Sequence, residues 1–399
     1  MTQPEITTNP ALFSEVLFAK MKLLCPALVE LEMYEFNYCM ENVVPEAGWD
    51  TIKLDSTADI EKKINDFSFY KGIQINQKAN GNIVLDDQIS GLTRMLFIGL
   101  VTDAYSLEWI DANFYFDPRG FIFLTRTRYF TDKVLAHLGG KPYAAFTPKQ
   151  RDFVHCQAVG YKDFKAANKE VDECFIQSMQ KLIEYKKTPI LLAIAGQTAA
   201  GKTEIVERLS EAFLTAGQHV TTIELDNFLT DRDYREAHGI DSEGKKALHF
   251  ELLKQALADI TSGKKISIPR YDFVNATSSH DISANLKPGG IPVDVEPADI
   301  IFMEGNFPFL LEEIVDLIGI KVVYFTDDPV RIKRKWKRDM DYRKKYSVNY
   351  FRNRYFKDQF IMAQIAYIPQ LEVCDLAVDT TGAAIWASAE TAAILDGRA

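Results

Sequence analysis

The stretch Ile190-Leu191-Leu192-Ala193-Ile194-Ala195-Gly196-Gln197-Thr198-Ala199-Ala200-Gly201-Lys202-Thr203 constrains this chain more than any other. An apolar run of strand length stops at a glycine, G-x-x-x-x-G-K-T follows, and Glu204-Ile205-Val206-Glu207-Arg208-Leu209 continues at helical spacing. Strand, glycine-rich loop and helix in that order form a P-loop, which wraps main-chain N–H groups around phosphates. Gly196 and Gly201 let the backbone curl, and Gln197, Thr198, Ala199 and Ala200 supply amides between them. Lys202 is placed to meet the β- and γ-phosphates, and the Thr203 hydroxyl to ligate Mg²⁺. ATP and Mg²⁺ are the expected cofactors, on a P-loop NTPase-type α/β fold.

Strand and helix patterns alternate downstream. Strands are predicted at Ile190–Ala195, His219–Leu225, Ile300–Met303, Lys321–Phe325 and Leu376–Val378, with helices at Glu204–Ala216, Phe250–Ser262 and Pro329–Arg343. That rhythm predicts a mostly parallel sheet with helices on both faces, whose ligands sit beyond the carboxyl ends of the strands. Asp226 and Glu304 fall at two of those ends. Asp226 is a candidate base for an acceptor hydroxyl, or else a turn aspartate in Asp226-Asn227. Glu304 is a candidate to hold Mg²⁺ together with Thr203 and Asp226, or else an incidental strand-end acid. The cation-rich segment Arg331–Lys345 reads as a lid that closes arginines over a transferring phosphate, or as a solvated face or, less often, a nucleic-acid patch.

The region before Pro189 reads differently. Leu12–Met40 and Ser90–Trp109 have helical spacing, Ala112–Phe130 reads as a hairpin around Asp117-Pro118-Arg119-Gly120, and Lys165–Tyr185 as a helix. The expected division is an N-terminal mixed α+β domain over 1–187, of unknown role, and a P-loop domain over 188–399. The aromatic density of the hairpin reads as core packing, and His137 and His155 as structural or surface residues.

Among 399 residues, 47% are hydrophobic, enough to bury a substantial core, and the formal net charge of −10 argues against nucleic acid as a partner. The five cysteines are scattered without a C-x-x-C pair, which suggests reduced thiols and no zinc site. Met1-Thr2-Gln3-Pro4-Glu5 lacks the basic-then-apolar pattern of a signal peptide, and no apolar run is long enough for a membrane span. The expectation is a cytoplasmic protein with no membrane partner; assembly into a homo-oligomer stays open.

From Pro189 to Thr381 the order of motifs resembles the phosphoribulokinase/uridine kinase family of P-loop kinases. The resemblance rests on Gly196–Thr203, Leu225-Asp226-Asn227-Phe228 with Asp231-Arg232-Asp233, Ile268-Pro269-Arg270-Tyr271-Asp272-Phe273, Phe302-Met303-Glu304-Gly305 and Arg334 to Arg338-Asp339. It implies Mg²⁺-dependent transfer of the ATP γ-phosphoryl group to a hydroxyl of a nucleoside-, sugar- or sugar-phosphate-like molecule. Asp226 would be the base, Tyr271 and Asp272 would lie on the acceptor side, and Arg343 would join Arg334 and Arg338 in the lid. Asp241-Ser242-Glu243 resembles an acidic element that contacts acceptor hydroxyls. The pattern departs in three places: Asn275-Ala276-Thr277 stands where a histidine follows Y-D-F, Lys344 replaces a lid glycine, and Asn306-Phe307-Pro308-Phe309 replaces small apolar residues. The alternative to a kinase is a nucleotide-binding regulatory switch read out by the N-terminal region.

Overall fold

The computed structural model describes residues 8–43, 52–71, 76–77, 83–84, 87–118, 121–149, 165–241, 244–341 and 361–398. They divide into two compact units. The first takes in described residues up to Arg128 and 361–364, and the second 129–149, 165–241, 244–341 and 365–398. The P-loop unit therefore includes residues 129–149 and 165–187, which the sequence reading groups with the N-terminal region.

In the first unit, α1 (Pro10–Leu24), α2 (Met33–Val43), α3 (Thr57–Ile64), α4 (Asp87–Val101) and α5 (Leu107–Asn113) accompany the antiparallel hairpin β1 (Phe114–Asp117) and β2 (Ile122–Thr125). The hairpin forms as its aromatic alternation predicts; its turn residues Arg119 and Gly120 lie outside the described residues. Phe97, Phe114, Phe116, Phe121 and Phe123 bury together with edge-on and tilted rings, which is core packing. The continuous helix predicted over Leu12–Met40 is instead broken at Cys25-Pro26, where Pro26 has no N–H to give and disfavours helical backbone at Cys25. Ser90–Trp109 likewise divides, and the Ser106 hydroxyl caps α5 by accepting from Trp109 N at 3.1 Å.

The second unit is built on one seven-stranded sheet. In chain order its elements are α6 (Asp132–His137), β3 (Ala144–Ala145), α7 (Lys169–Lys186), β4 (Ile190–Ala195), α8 (Lys202–Thr215), β5 (Val220–Glu224), α9 (Arg232–Ala237) and α10 (Phe250–Thr261). After these come β6 (Ile266–Ile268), β7 (Tyr271–Asp272), β8 (Thr277–Ser278), β9 (Val293–Val295), β10 (Ile300–Gly305), β11 (Ile320–Phe325), α11 (Asp328–Asp341), β12 (Leu376–Asp379), β13 (Ala384–Ala387) and α12 (Ala389–Leu395). The strand order is β3-β13-β12-β11-β4-β10-β5. From β12 to β5 neighbours pair parallel, while β13 runs antiparallel to both β12 and β3. The fold is thus a mixed, mostly parallel sheet, with an antiparallel end that the sequence reading does not anticipate.

β4 lies between β10 and β11 and is buried at every residue, which is why its sequence is an unbroken apolar run rather than an alternation. On α8, Ile205, Val206, Leu209 and Phe213 share one buried face with Val171, Phe175, Met179, Leu182 and Ile183 of α7 and with Ile194, Phe302 and Val322 of the sheet. Each such side chain contributes roughly 1.5–3 kcal/mol of apolar burial. Helix α7 is part of this core, and β3 extends its sheet, so both fold with the P-loop.

Candidate active site

The register of the parallel ladders gathers the site. Gly305 pairs with Ala195 and Glu304 with both Ile194 and Glu224, so β4, β5 and β10 end level with one another. Gly196 leaves β4 and Gly201 opens α8 with φ +103°, a left-handed conformation that glycine takes without strain. Gly196 answers a second constraint: a Cβ there would stand 2.3 Å from the carbonyl oxygen of Tyr324 on β11. The loop is tethered by Ala200, whose carbonyl accepts from Thr326 Oγ1 at 2.7 Å and from Arg334 Nη1 at 3.2 Å.

Lys202 Nζ donates to the carbonyls of Gly196 at 3.0 Å and Gln197 at 3.1 Å, and to Asn306 Oδ1 at 3.0 Å. Burial pushes its ammonium below the ordinary lysine range, and the charges of Glu304 and Asp226 pull it back. Thr203 Oγ1 donates to Glu304 Oε1 at 2.8 Å. Glu304 is buried, and its Oε2 has no hydrogen-bond partner. Burial raises its carboxyl to about 7, with Lys202 and the Thr203 hydroxyl opposing the shift and Glu224 and Asp226 adding to it. Half-buried Asp226 sits in the short turn Leu225–Phe228 that follows β5.

Glu224 is a third acid of this group, one the sequence reading passed over. Burial raises it first, Asp226 next, while Arg270 opposes. No signal in the sequence marks it; the pairing of β5 with β10 sets Glu224 level with Glu304. Asn306 was passed over as a lysine partner too, although the departure after Glu304-Gly305 marked it. Buried Gln370 holds that turn by donating to Asn306 O at 2.9 Å and accepting from Phe309 N at 3.2 Å.

Two arginines of α11 reach the loop. Arg338 Nη2 donates to Thr198 Oγ1 at 3.2 Å, beside the Arg334 bond to Ala200. Tyr271 is buried, its N–H given to Asn227 Oδ1 at 3.1 Å and its hydroxyl accepting from Arg235 at 3.2 Å. Asp272 caps its own turn, accepting from Val274 N, Asn275 N and Asn275 Nδ2. Asp241 is exposed. Glu243 and Arg343 lie outside the described residues, as do Lys344 and His155. His137 Nε2 lies 2.7 Å from the carbonyl of Cys374, a structural role.

A model of the phosphoribulokinase/uridine kinase family matches residues 191–383. The chain is 32% identical over 152 residues to the uridine kinase of Halobacterium salinarum, which is 37% of this chain and 62% of that protein. It is 30% identical over 161 residues to the uridine kinase of Limosilactobacillus reuteri, 40% of this chain and 68% of that one. The chain belongs to the phosphoribulokinase/uridine kinase family. It spans less than two thirds of the Halobacterium protein and slightly more than two thirds of the Limosilactobacillus one. Among solved structures it is similar to the phosphoribulokinase from Rhodobacter spheroides, with a TM-score of 0.32 and 16% identity over 49% of this chain and 70% of that one. Residues 129–149 and 165–186 of the P-loop unit precede the family segment. Among the described residues, no helix is long and apolar enough to cross a membrane.

Proposed function

We propose that this family member is an ATP- and Mg²⁺-dependent small-molecule kinase that transfers the γ-phosphoryl group to an acceptor hydroxyl. The observation that carries the proposal is the pair of hydrogen bonds from Arg334 and Arg338 to the P-loop, with the acids Glu224, Asp226 and Glu304 grouped near Lys202. Donors fixed where charge develops stabilise phosphoryl transfer.

Mg²⁺ fits the donors at hand. A hard cation takes oxygen ligands, and the Thr203 hydroxyl and the unpartnered Oε2 of Glu304 are such oxygens. Bound there, the ion would neutralise phosphate charge. Lys202 would leave the loop carbonyls for phosphate oxygens, the backbone from Gly196 to Thr203 would cradle the chain of phosphates, and Arg334 and Arg338 would exclude water. Asp226 would accept the proton of the acceptor hydroxyl and orient its oxygen in line.

The acceptor is sought by screening nucleosides, sugars, sugar phosphates and hydroxy acids in a coupled ADP assay. ADP release that depends on one of them, lost in Asp226→Asn while ATP still binds, supports the reading. Rapid phosphate release with no acceptor, unchanged in Asp226→Asn, favours a regulatory ATPase and refutes it.

A further inference from the structure

Helix α7 ends before the family segment begins, yet it carries a buried acid into the wall behind the P-loop. Asp172, only 3% exposed, accepts from the hydroxyl of buried Tyr324 through Oδ1 at 2.8 Å, and its Oδ2 pairs with Arg208 of α8. Tyr324 in turn backs both loop glycines. Its carbonyl faces Gly196, where a Cβ would be 2.3 Å away, and its ring faces Gly201, where a Cβ would be 3.4 Å from both Tyr324 Cε1 and Arg334 Nη1. Burial lowers the Arg334 guanidinium from its ordinary range, Tyr324, Glu204 and Asp172 oppose that shift, and Arg208 adds to it. Two guanidinium groups thus share one low-dielectric wall, where their repulsion and desolvation are costly unless an acid offsets them. Asp172 supplies that charge from an element outside the family segment.

We infer that Asp172 is a positioning residue of the phosphate site, holding Tyr324 against the loop glycines and keeping Arg334 on the Ala200 carbonyl. The inference rests on the reading of the P-loop as an ATP site. Asp172→Asn tests it, because the amide oxygen still accepts from Tyr324 while the charge is gone. Tyr324→Phe removes only the hydroxyl and serves as the second variant.

The full-length protein and its variants are titrated with Mg-ATP by calorimetry, alongside thermal melts and a double-mutant cycle of Asp172→Asn with Arg334→Met. The expected result is a Kd for ATP raised about tenfold by Asp172→Asn and about threefold by Tyr324→Phe. In the Arg334→Met background the Asp172 effect shrinks toward onefold. A purely structural acid would lower the melting temperature and leave the Kd of the folded fraction alone, so a Kd within twofold of the wild type in either variant overturns the proposal. Additive effects in the cycle overturn the route through Arg334. Failure of the wild-type protein to bind ATP would sink the nucleotide reading itself, and this inference with it.

Discussion

Replacing Glu304 by glutamine removes a buried charge while keeping an oxygen for the Thr203 hydroxyl, so its effect on stability can be worked from one carboxyl. Burial raises that carboxyl from an ordinary 4.5 to about 7. The folded protein therefore holds the proton more tightly than the unfolded chain does. Stability from the neutral acid is fully present below pH 4.5 and is lost as pH rises through the window up to about 7. A shift of that size corresponds to about 3 kcal/mol between pH 4 and pH 8. Buried Asp328, also raised to about 7 by burial, titrates over much of the same range. It is common to wild type and variant and cancels in their difference. Urea unfolding of both proteins at pH 4, 6 and 8 checks the value. Near pH 4 the two should unfold alike on this account, and by pH 8 Glu304→Gln should be the more stable by about 3 kcal/mol. Millimolar Mg²⁺ at pH 8 should narrow the gap by stabilising the wild-type carboxylate alone. A difference in stability that does not change with pH would refute the reasoning, because Glu304 would then ionise normally in the fold.

The remaining expectations concern the loop, its arginines and a buried histidine. Gly196→Ala drives a Cβ into the Tyr324 carbonyl, a backbone atom that yields little, and should cost about 1–3 kcal/mol in urea unfolding along with ATP affinity. Arg338→Met should lower acceptor-dependent turnover about 10²-fold with a smaller change in ATP binding, read by steady-state kinetics against calorimetry. His249 is buried with Nε2 unpartnered, and burial first, then the neighbouring charge of His280, lowers it to about 4. The neutral ring stabilises the fold above pH 6.5, and that contribution is lost as pH falls toward 4. His249→Gln should therefore flatten the acid limb of a stability–pH profile by about 3 kcal/mol.

What could be read from the residues alone follows from how each position is constrained. The P-loop strand was legible because a central strand buried on both faces must be apolar throughout, and Gly196 because the Tyr324 carbonyl leaves no room for a side chain. Glu304 was legible as an acid ending such a strand. Glu224 was not, because β5 lies at the sheet edge, where Thr-Thr-Ile-Glu looks like ordinary half-exposed sequence. Its significance appears only once the ladder sets it level with Glu304. The antiparallel end of the sheet was hidden for a related reason. Ala144-Ala145 carries little strand preference of its own, Ala384–Ala387 is a short run despite Ile385 and Trp386, and their pairing is decided by neighbours far away in sequence. Asp172 is the extreme case. On α7 it is one acid among several, and only its helical spacing, three residues before Phe175 and seven before Met179, sets it on the buried face. Only the fold brings it against Arg208 and Tyr324, and so behind a loop that begins on another element. Motifs make visible the residues that touch phosphate, because that chemistry fixes their types and order. The residues that hold them in place are fixed by shape and charge alone, and many side chains in many orders can satisfy those.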